Sequence, residues 1–386
     1  MVVLTEEDFP LRWGDTIPAK AFEGREDITK VYIPNRIVYI GYLAFAGCSG
    51  LTELHLPDTL TDLGIGAFER CTGLIELRLP DTLTEIGEDT FNGCSGLTEL
   101  RLPDTLTEIG VDTFNGCSGL TELRLPDTLT KIGLRAFSNC SCLIEIRLPD
   151  TLTKIGVEVF DGCSGLTEIR LPDTLTEIGN FAFSDCSGLT ELRLPVTLTK
   201  IGGCAFEGCS GLTELRLPGS IESLGTSAFA GCTSLRLVAM HSIIRFESSS
   251  NYNFIYHQFK GCTSLKAVYA PPEVSSRLSD DMFEDCGIPV STLLANATPD
   301  LGLWYYWTPK NHQLCSLVSK EVVFTLLLVN NRLISDSELK KSQNNLELKK
   351  TKNNLELEKK DVSRGLPIEL WFEILSFVCR HQLGRK

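Results

Sequence analysis

Histidine is scarce in this chain, with five in 386 residues. They are His55, His241, His257, His312 and His381, and none stands beside a second ligand or nucleophile in a recognised motif. Acid–base or metal chemistry built on histidine therefore has no foothold. No glycine-rich phosphate loop followed by lysine occurs either. The many carboxylates recur with a fixed period, which marks a repeat and not a catalytic pair. The chain reads as a non-enzyme that needs no cofactor and no metal.

Basic residues are outnumbered, 36 against 50 acidic ones, for a net charge of −14. A general nucleic-acid binder needs a basic stripe, so nucleic acid is not an expected partner. Long apolar runs are missing. The longest, residues 322–329, is interrupted by Thr325 and is far too short to span a bilayer, so no membrane insertion is expected. The first fifteen residues lack the basic and apolar regions of a secretory signal, which makes cytoplasm or nucleus the expected location.

What is abundant is repetition. Phenylalanine stands at 22, 45, 68, 91, 114, 137, 160, 183, 206 and 229, always 23 residues apart, and then at 259 and 283. Cysteine follows three residues after each except the first, where Arg25 replaces it. A typical unit, residues 97–115, reads LTELRLPDTLTEIGVDTFN. The segment L-x-x-L-x-L-P carries the alternation of a short strand in a leucine-rich repeat. The following P-D-T reads as a turn, in which proline fixes φ and Asp or Thr bonds its own backbone. A second short extended stretch, residues 107–109, leads through Gly110 into a helical turn carrying Phe114 and Cys117. The inward set of one unit is Leu97, Leu100, Leu102, Leu106, Ile109, Thr113, Phe114 and Cys117. One unit cannot fold alone, so about twelve must stack.

The pattern A-F-x-G-C-S-G-L-T-E-L-x-L-P-D-T-L-T-E-I-G resembles the BspA-like class of leucine-rich repeats. The resemblance covers residues 17–290. It implies a curved, right-handed solenoid, an α/β repeat rod with a parallel sheet of short strands, short second strands and helical turns. It also implies adhesion in some relatives and no catalytic residues. Residues 1–16 are expected to cap one end, through Phe9, Leu11 and Trp13. Residues 291–335 are expected to cap the other with a helix.

Eleven of the fifteen cysteines belong to the repeat and form one stacked column, read as buried free thiols. Alternation sends two positions of each strand outward. The first is Glu in successive units, including Glu122 and Glu145. The second is Arg, including Arg124 and Arg147, with His55 in the second unit. This face is either a balanced, solvated surface or a charged groove for a protein partner. The first unit departs with Lys30 and Tyr32, and the late ones with Leu237 and Tyr269. An insertion within residues 243–257 adds Phe246, Tyr252, Phe254 and Tyr256. Those aromatics form either an interface or part of the terminal cap.

After residue 335 the composition changes. Residues 336–364 are a charged linker or exposed helix, with SQNNLELKK nearly repeated as TKNNLELEKK. Residues 365–386 read as an amphipathic α-helical tail. Its L-P-x-E-L-x-x-x-I-L-S-F resembles the opening of an F-box, on Leu366, Pro367, Glu369, Leu370, Ile374, Leu375 and Phe377. That resemblance implies a Skp1-type protein partner at residues 366–377 and a ubiquitin-ligase adaptor. The alternatives are an amphipathic helix that docks on the cap, or a helix for another partner. The reading of the whole is a protein-interaction scaffold, with adaptor and cell-surface adhesin as the other possibilities.

Overall fold

The computed structural model describes residues 1–240, 245–246 and 257–295. The aromatics Tyr252, Phe254 and Tyr256 lie outside the described residues. So do the larger part of the expected C-terminal cap, the charged linker and the F-box-like segment.

The described chain is a parallel-strand β-solenoid. The array runs through ten turns at strict 23-residue spacing, Phe22 to Phe229, and two irregular ones carrying Phe259 and Phe283. Most turns place a three-residue strand such as Glu122–Arg124 and a two-residue strand such as Lys131–Ile132. Every pairing among the described strands is parallel, and in the regular turns the register follows the repeat, so Glu122 pairs with Glu145, Leu123 with Ile146 and Arg124 with Arg147. The first ladder is not one continuous sheet. It is divided into groups ending at Glu53–His55, Glu99–Arg101 and Glu168–Arg170, and residues 191–193 form no strand.

The third side of each turn departs from expectation. The segment carrying phenylalanine is a run of turns, not a helix. Its N–H groups alternate between two kinds of acceptor. Ala44, Ala46 and Cys48 bond three residues back, at 3.2 Å each. Leu43, Phe45 and Gly47 instead donate to Ile65, Ala67 and Glu69 in the next turn, at 3.0, 2.8 and 2.7 Å. The alternation has a backbone cause. Leu43 and Gly47 adopt left-handed φ of 49° and 71°, and the same two positions are left-handed in most other turns. A helix would aim every N–H back along its own axis. Interrupting it twice frees half of them to tie neighbouring turns together.

Most turns place glycine at the second left-handed position, as at Gly93 and Gly116, whereas Arg70 holds φ 57° there. Arginine adopts this region at a cost of about 1–2 kcal/mol, part of which glycine's larger loss of chain entropy offsets. Arg70→Gly is therefore expected to stabilise the array by about 0.5–1 kcal/mol in urea unfolding. No gain, or a loss, would show that the Arg70 side chain contributes more than its backbone strain costs.

The core is a set of columns. Twelve phenylalanine rings stack from Phe22 to Phe283, with centroids 4.9–5.9 Å apart and planes within 15°. Leucine and isoleucine columns fill the space between the ladders. The turn threonines bond the preceding turn and not their own backbone. Thr105 Oγ1 donates to Leu83 O at 2.8 Å, and Thr128 Oγ1 to Leu106 O at 2.7 Å.

At the N-terminal end, Val2–Leu4 pairs with Ile28–Tyr32, and two short 3-10 turns, Glu6–Asp8 and Leu11–Trp13, cover the first turn. Phe9 is buried, and the Phe9, Trp13 and Phe22 rings meet edge to face. Leu11 was expected to pack here but is 83% exposed, because its 3-10 turn presents Trp13 to the core instead. At the far end, helix Val290–Ala295 packs against strand Ala267–Tyr269, with Leu293 buried. Among the described residues no helix is long and apolar enough to cross a membrane.

Candidate protein-binding surface

Strand alternation builds the surface. In Glu122–Leu123–Arg124 the leucine is buried and both charged neighbours are exposed, and the adjacent strands repeat the pattern. Parallel register then stacks glutamate on glutamate and arginine on arginine, strand after strand. The columns lie two residues apart along each strand, about 6.6 Å, with successive turns about 4.8 Å apart.

The charges are settled differently along the face. At the N-terminal end Glu53 is surrounded. Lys30 Nζ lies 2.5 Å from it, the Tyr32 hydroxyl donates to it at 2.8 Å, and His55 Nε2 lies at 2.7 Å. The Tyr32 and His55 rings stack 4.5 Å apart. Lys30, then His55 and Tyr32, hold the Glu53 carboxyl down at about 2. Further along, Arg193 pairs with Glu191 at 3.4 Å and Arg216 with Glu214 at 3.2 Å. Between these ends lie Glu76, Arg78, Glu99, Arg101, Glu122, Arg124, Glu145, Arg147, Glu168 and Arg170. None of the ten has an opposite charge within 4.0 Å among the described residues.

The second ladder behaves in another way. Its outward column is mixed in sign, running Asp62, Glu85, Glu108, Lys131, Lys154, Glu177 and Lys200, and Lys131 pairs with Glu108. Glu177 sits between Lys154 at 2.9 Å and Lys200 at 3.1 Å, which together hold its carboxyl below the usual range.

Two candidate aromatic or apolar contacts need correction. Phe246 does not stand on an exposed loop. It occupies the second strand, in register with Leu224, and is buried in the core with the Arg277 guanidinium over its ring. Leu237 sits at an outward strand position but is only 6% exposed, in a strand whose three residues are all buried. Tyr269 is half-buried in strand Ala267–Tyr269, while Tyr32 is exposed at the other end. The structure brings Glu122, Arg124, Glu145 and Arg147 together on one open face and leaves the apolar candidates out of it.

The BspA type leucine-rich repeat region matches this chain in six copies, over residues 15–144 and 131–258. Those spans cover well over half of the sequence. The chain belongs to the BspA-type leucine-rich-repeat family. Solved structures with similarity include a leucine-rich repeat protein from Bacteroides ovatus, 25% identical over 58% of this chain and 76% of that one, with a TM-score of 0.40. The T. pallidum leucine-rich repeat protein is 28% identical over 46% and 72%, with a TM-score of 0.35. The pneumococcal vaccine antigen PcpA is 22% identical over 68% and 72%, with a TM-score of 0.44. No curated protein matches the chain.

In this BspA-type array the cysteine column is structural. Each thiol donates to the carbonyl of the preceding turn's phenylalanine, as Cys94 Sγ does to Phe68 O at 3.3 Å. Burial pushes the thiols of Cys94, Cys163 and Cys232 up to about 12. The thiolate is the reactive form, so these positions are protected twice, by access and by protonation. Cys142 is exposed. Alkylation of the native protein, read peptide by peptide, is expected to label Cys142 and to spare Cys71 through Cys140. Labelling of the column at the Cys142 rate would mean that the turns open far more readily than their packing implies.

Proposed function

We propose that the protein is a non-enzymatic scaffold that binds a protein partner through the exposed face of its first ladder, in the cytosol or nucleus. One observation carries the reading. Five consecutive turns, residues 76 to 170, present ten charged side chains in fixed columns with no opposite charge within 4.0 Å among the described residues. Repeat scaffolding fixes the backbone spacing of these groups, so docking has only their side chains left to order. Free buried thiols suit a reducing compartment.

The test is capture from the native cell with wild-type protein and with the double variant Arg124→Glu, Arg147→Glu. Recovery of a specific partner is expected to fall at least about tenfold, since charge reversal at a complementary interface is strongly unfavourable. Melting curves of both proteins check that the array is intact. Equal recovery by a folded variant would remove this face as the binding surface.

A further inference from the structure

Two outward charge columns in one molecule treat the same problem in different ways. The second ladder mixes signs, so that Glu108 meets Lys131 and Glu177 meets two lysines, although Glu85 still stacks on Glu108. The first ladder stacks Glu122 on Glu145 on Glu168, and Arg124 on Arg147 on Arg170. Like charges about 4.8 Å apart repel, and here the opposite column about 6.6 Å away offsets this only in part, with no opposite charge within 4.0 Å among the described residues. Solubility alone is served equally well by the mixed pattern. The uniform columns are a liability unless something with the same spacing and the opposite order covers them.

A second copy of the chain has that spacing and, in one orientation, that order. Consider a two-fold axis running along the solenoid, above the face and midway between the columns. Rotation about it carries the glutamate column of one copy over the arginine column of the other, and the reverse. Arg124 of one copy meets Glu122 of the other, and Glu122 of the first meets Arg124 of the second, as an isologous contact requires. The match holds at every turn, because the rotation leaves position along the solenoid unchanged. A two-fold axis along the strands instead sets glutamate on glutamate, so the orientation is selected by charge alone. A non-repeating partner meets such columns at one or two turns. Another array meets them at all five.

We propose that residues 76 to 170 form a face-to-face homodimer contact, in which two parallel solenoids pair the glutamate column of each with the arginine column of the other. The proposal rests on the reading of this face as a docking surface and names its occupant. The extent of the contact is set by the molecule. It begins where the cluster around Glu53 ends and stops where Glu191 and Arg193 pair with each other. Five turns span on the order of 24 Å, so the buried area falls below that of a standard stable interface. The net charge of −14 also opposes approach, although the ten-residue face itself is neutral. The dimer is therefore weak, concentration-dependent and salt-sensitive.

Sedimentation velocity of the full chain tests it. The wild type is expected to show a monomer–dimer equilibrium at about 0.1 M salt and to be monomeric at about 1 M, as the Debye length drops from about 10 Å to about 3 Å. Two triple variants make the decisive measurement. One, Arg101→Glu, Arg124→Glu, Arg147→Glu, is all-acidic over the three central turns of the face. The other, Glu99→Arg, Glu122→Arg, Glu145→Arg, is all-basic over the same three turns. Each alone is expected to be monomeric, and an equimolar mixture to form a heterodimer at least about tenfold tighter than the wild-type dimer. If stacked like charges unfold either triple variant, the neutral pair Arg124→Gln, Arg147→Gln replaces them and is expected to lose self-association.

A wild type that stays monomeric throughout overturns the proposal, as does a dimer that persists in the Gln variant or folded triple variants that fail to associate. Monomeric wild type, together with selective loss of a foreign partner by Arg124→Glu, Arg147→Glu, overturns self-association and leaves the scaffold reading standing.

Discussion

Phe137→Ala is expected to destabilise the array by about 3–5 kcal/mol. Phe137 is fully buried, with its ring stacked between Phe114 at 5.4 Å and Phe160 at 5.7 Å. Removing it leaves a cavity that the surroundings cannot close. Phe137 N donates to Val159 O at 3.0 Å and Phe114 N to Ala136 O at 2.8 Å, so hydrogen bonds fix the spacing of the turns around the gap. The position matters as much as the residue. A solenoid is held by nearest-neighbour contacts, and a weak turn in the middle divides it into two shorter blocks. Native-state hydrogen exchange is then expected to resolve two opening units, one on each side of residue 137. Phe22→Ala removes a ring of the same type at the end of the column, where Phe22 keeps 8% exposure and leans on Phe9 and Trp13. Its cost is expected to be smaller. A loss below about 1 kcal/mol at Phe137 would mean that the ring column is not a principal stabiliser.

The contrast between these positions shows what a repeating sequence reveals. Period 23 places Phe114, Phe137 and Phe160 in one column, and alternation in L-x-x-L-x-L faces Glu122 and Arg124 outward. Both follow from side-chain geometry, and the described structure has them. Backbone partners are less legible. The period does not say that Phe45 N–H reaches the next turn while Ala46 N–H stays in its own. That choice depends on left-handed φ at Leu43, and leucine carries no signal for it. Thr105 was read as a local turn former by residue type, although its 23-residue recurrence equally fits a bond between turns.

Phe246 was missed for another reason. The insertion separates it from the next column phenylalanine, Phe259, so counting backward fails. Counting forward from Val238 places it eight residues on, close to the nine that separate Leu100 from Ile109. The charge columns were legible as columns, but their lack of partners in five turns was not. It depends on side-chain rotamers, which bring Glu214 to Arg216 and leave Glu122 and Arg124 apart. The BspA-type resemblance fixed the repeat class without indicating which turns carry a partner.

Gly133→Ala is the second large expected effect, at about 2–3 kcal/mol, and its cause is close approach, not backbone freedom. Gly133 does not have a left-handed φ. A Cβ there would lie 2.5 Å from Gly110 C, 2.6 Å from Gly110 O and 2.6 Å from Val111 N. All three are backbone atoms of the preceding turn. A flexible side chain can swing aside, but backbone atoms move only by separating the turns. Such separation strains the bond from Gly133 N to Ile109 O, now 2.8 Å, and the ladder pairing of Glu108 with Lys131 and Ile109 with Ile132. Glycine recurs at this place in every turn from Gly41 to Gly225, which the period displays without giving its reason. The same position one turn later supplies the control. A Cβ on Gly156 would meet Ile132 O and Val159 Cγ2 only at 3.3 Å. Gly156→Ala is therefore expected to cost less than about 1 kcal/mol. Urea unfolding of the two variants separates the explanations. If the losses are equal, glycine acts there through chain conformation, whereas a large loss at Gly133 alone means that backbone contact sets the distance between turns. That distance also fixes the spacing of the charge columns, so the glycine column and the proposed pairing of two solenoids depend on the same geometry.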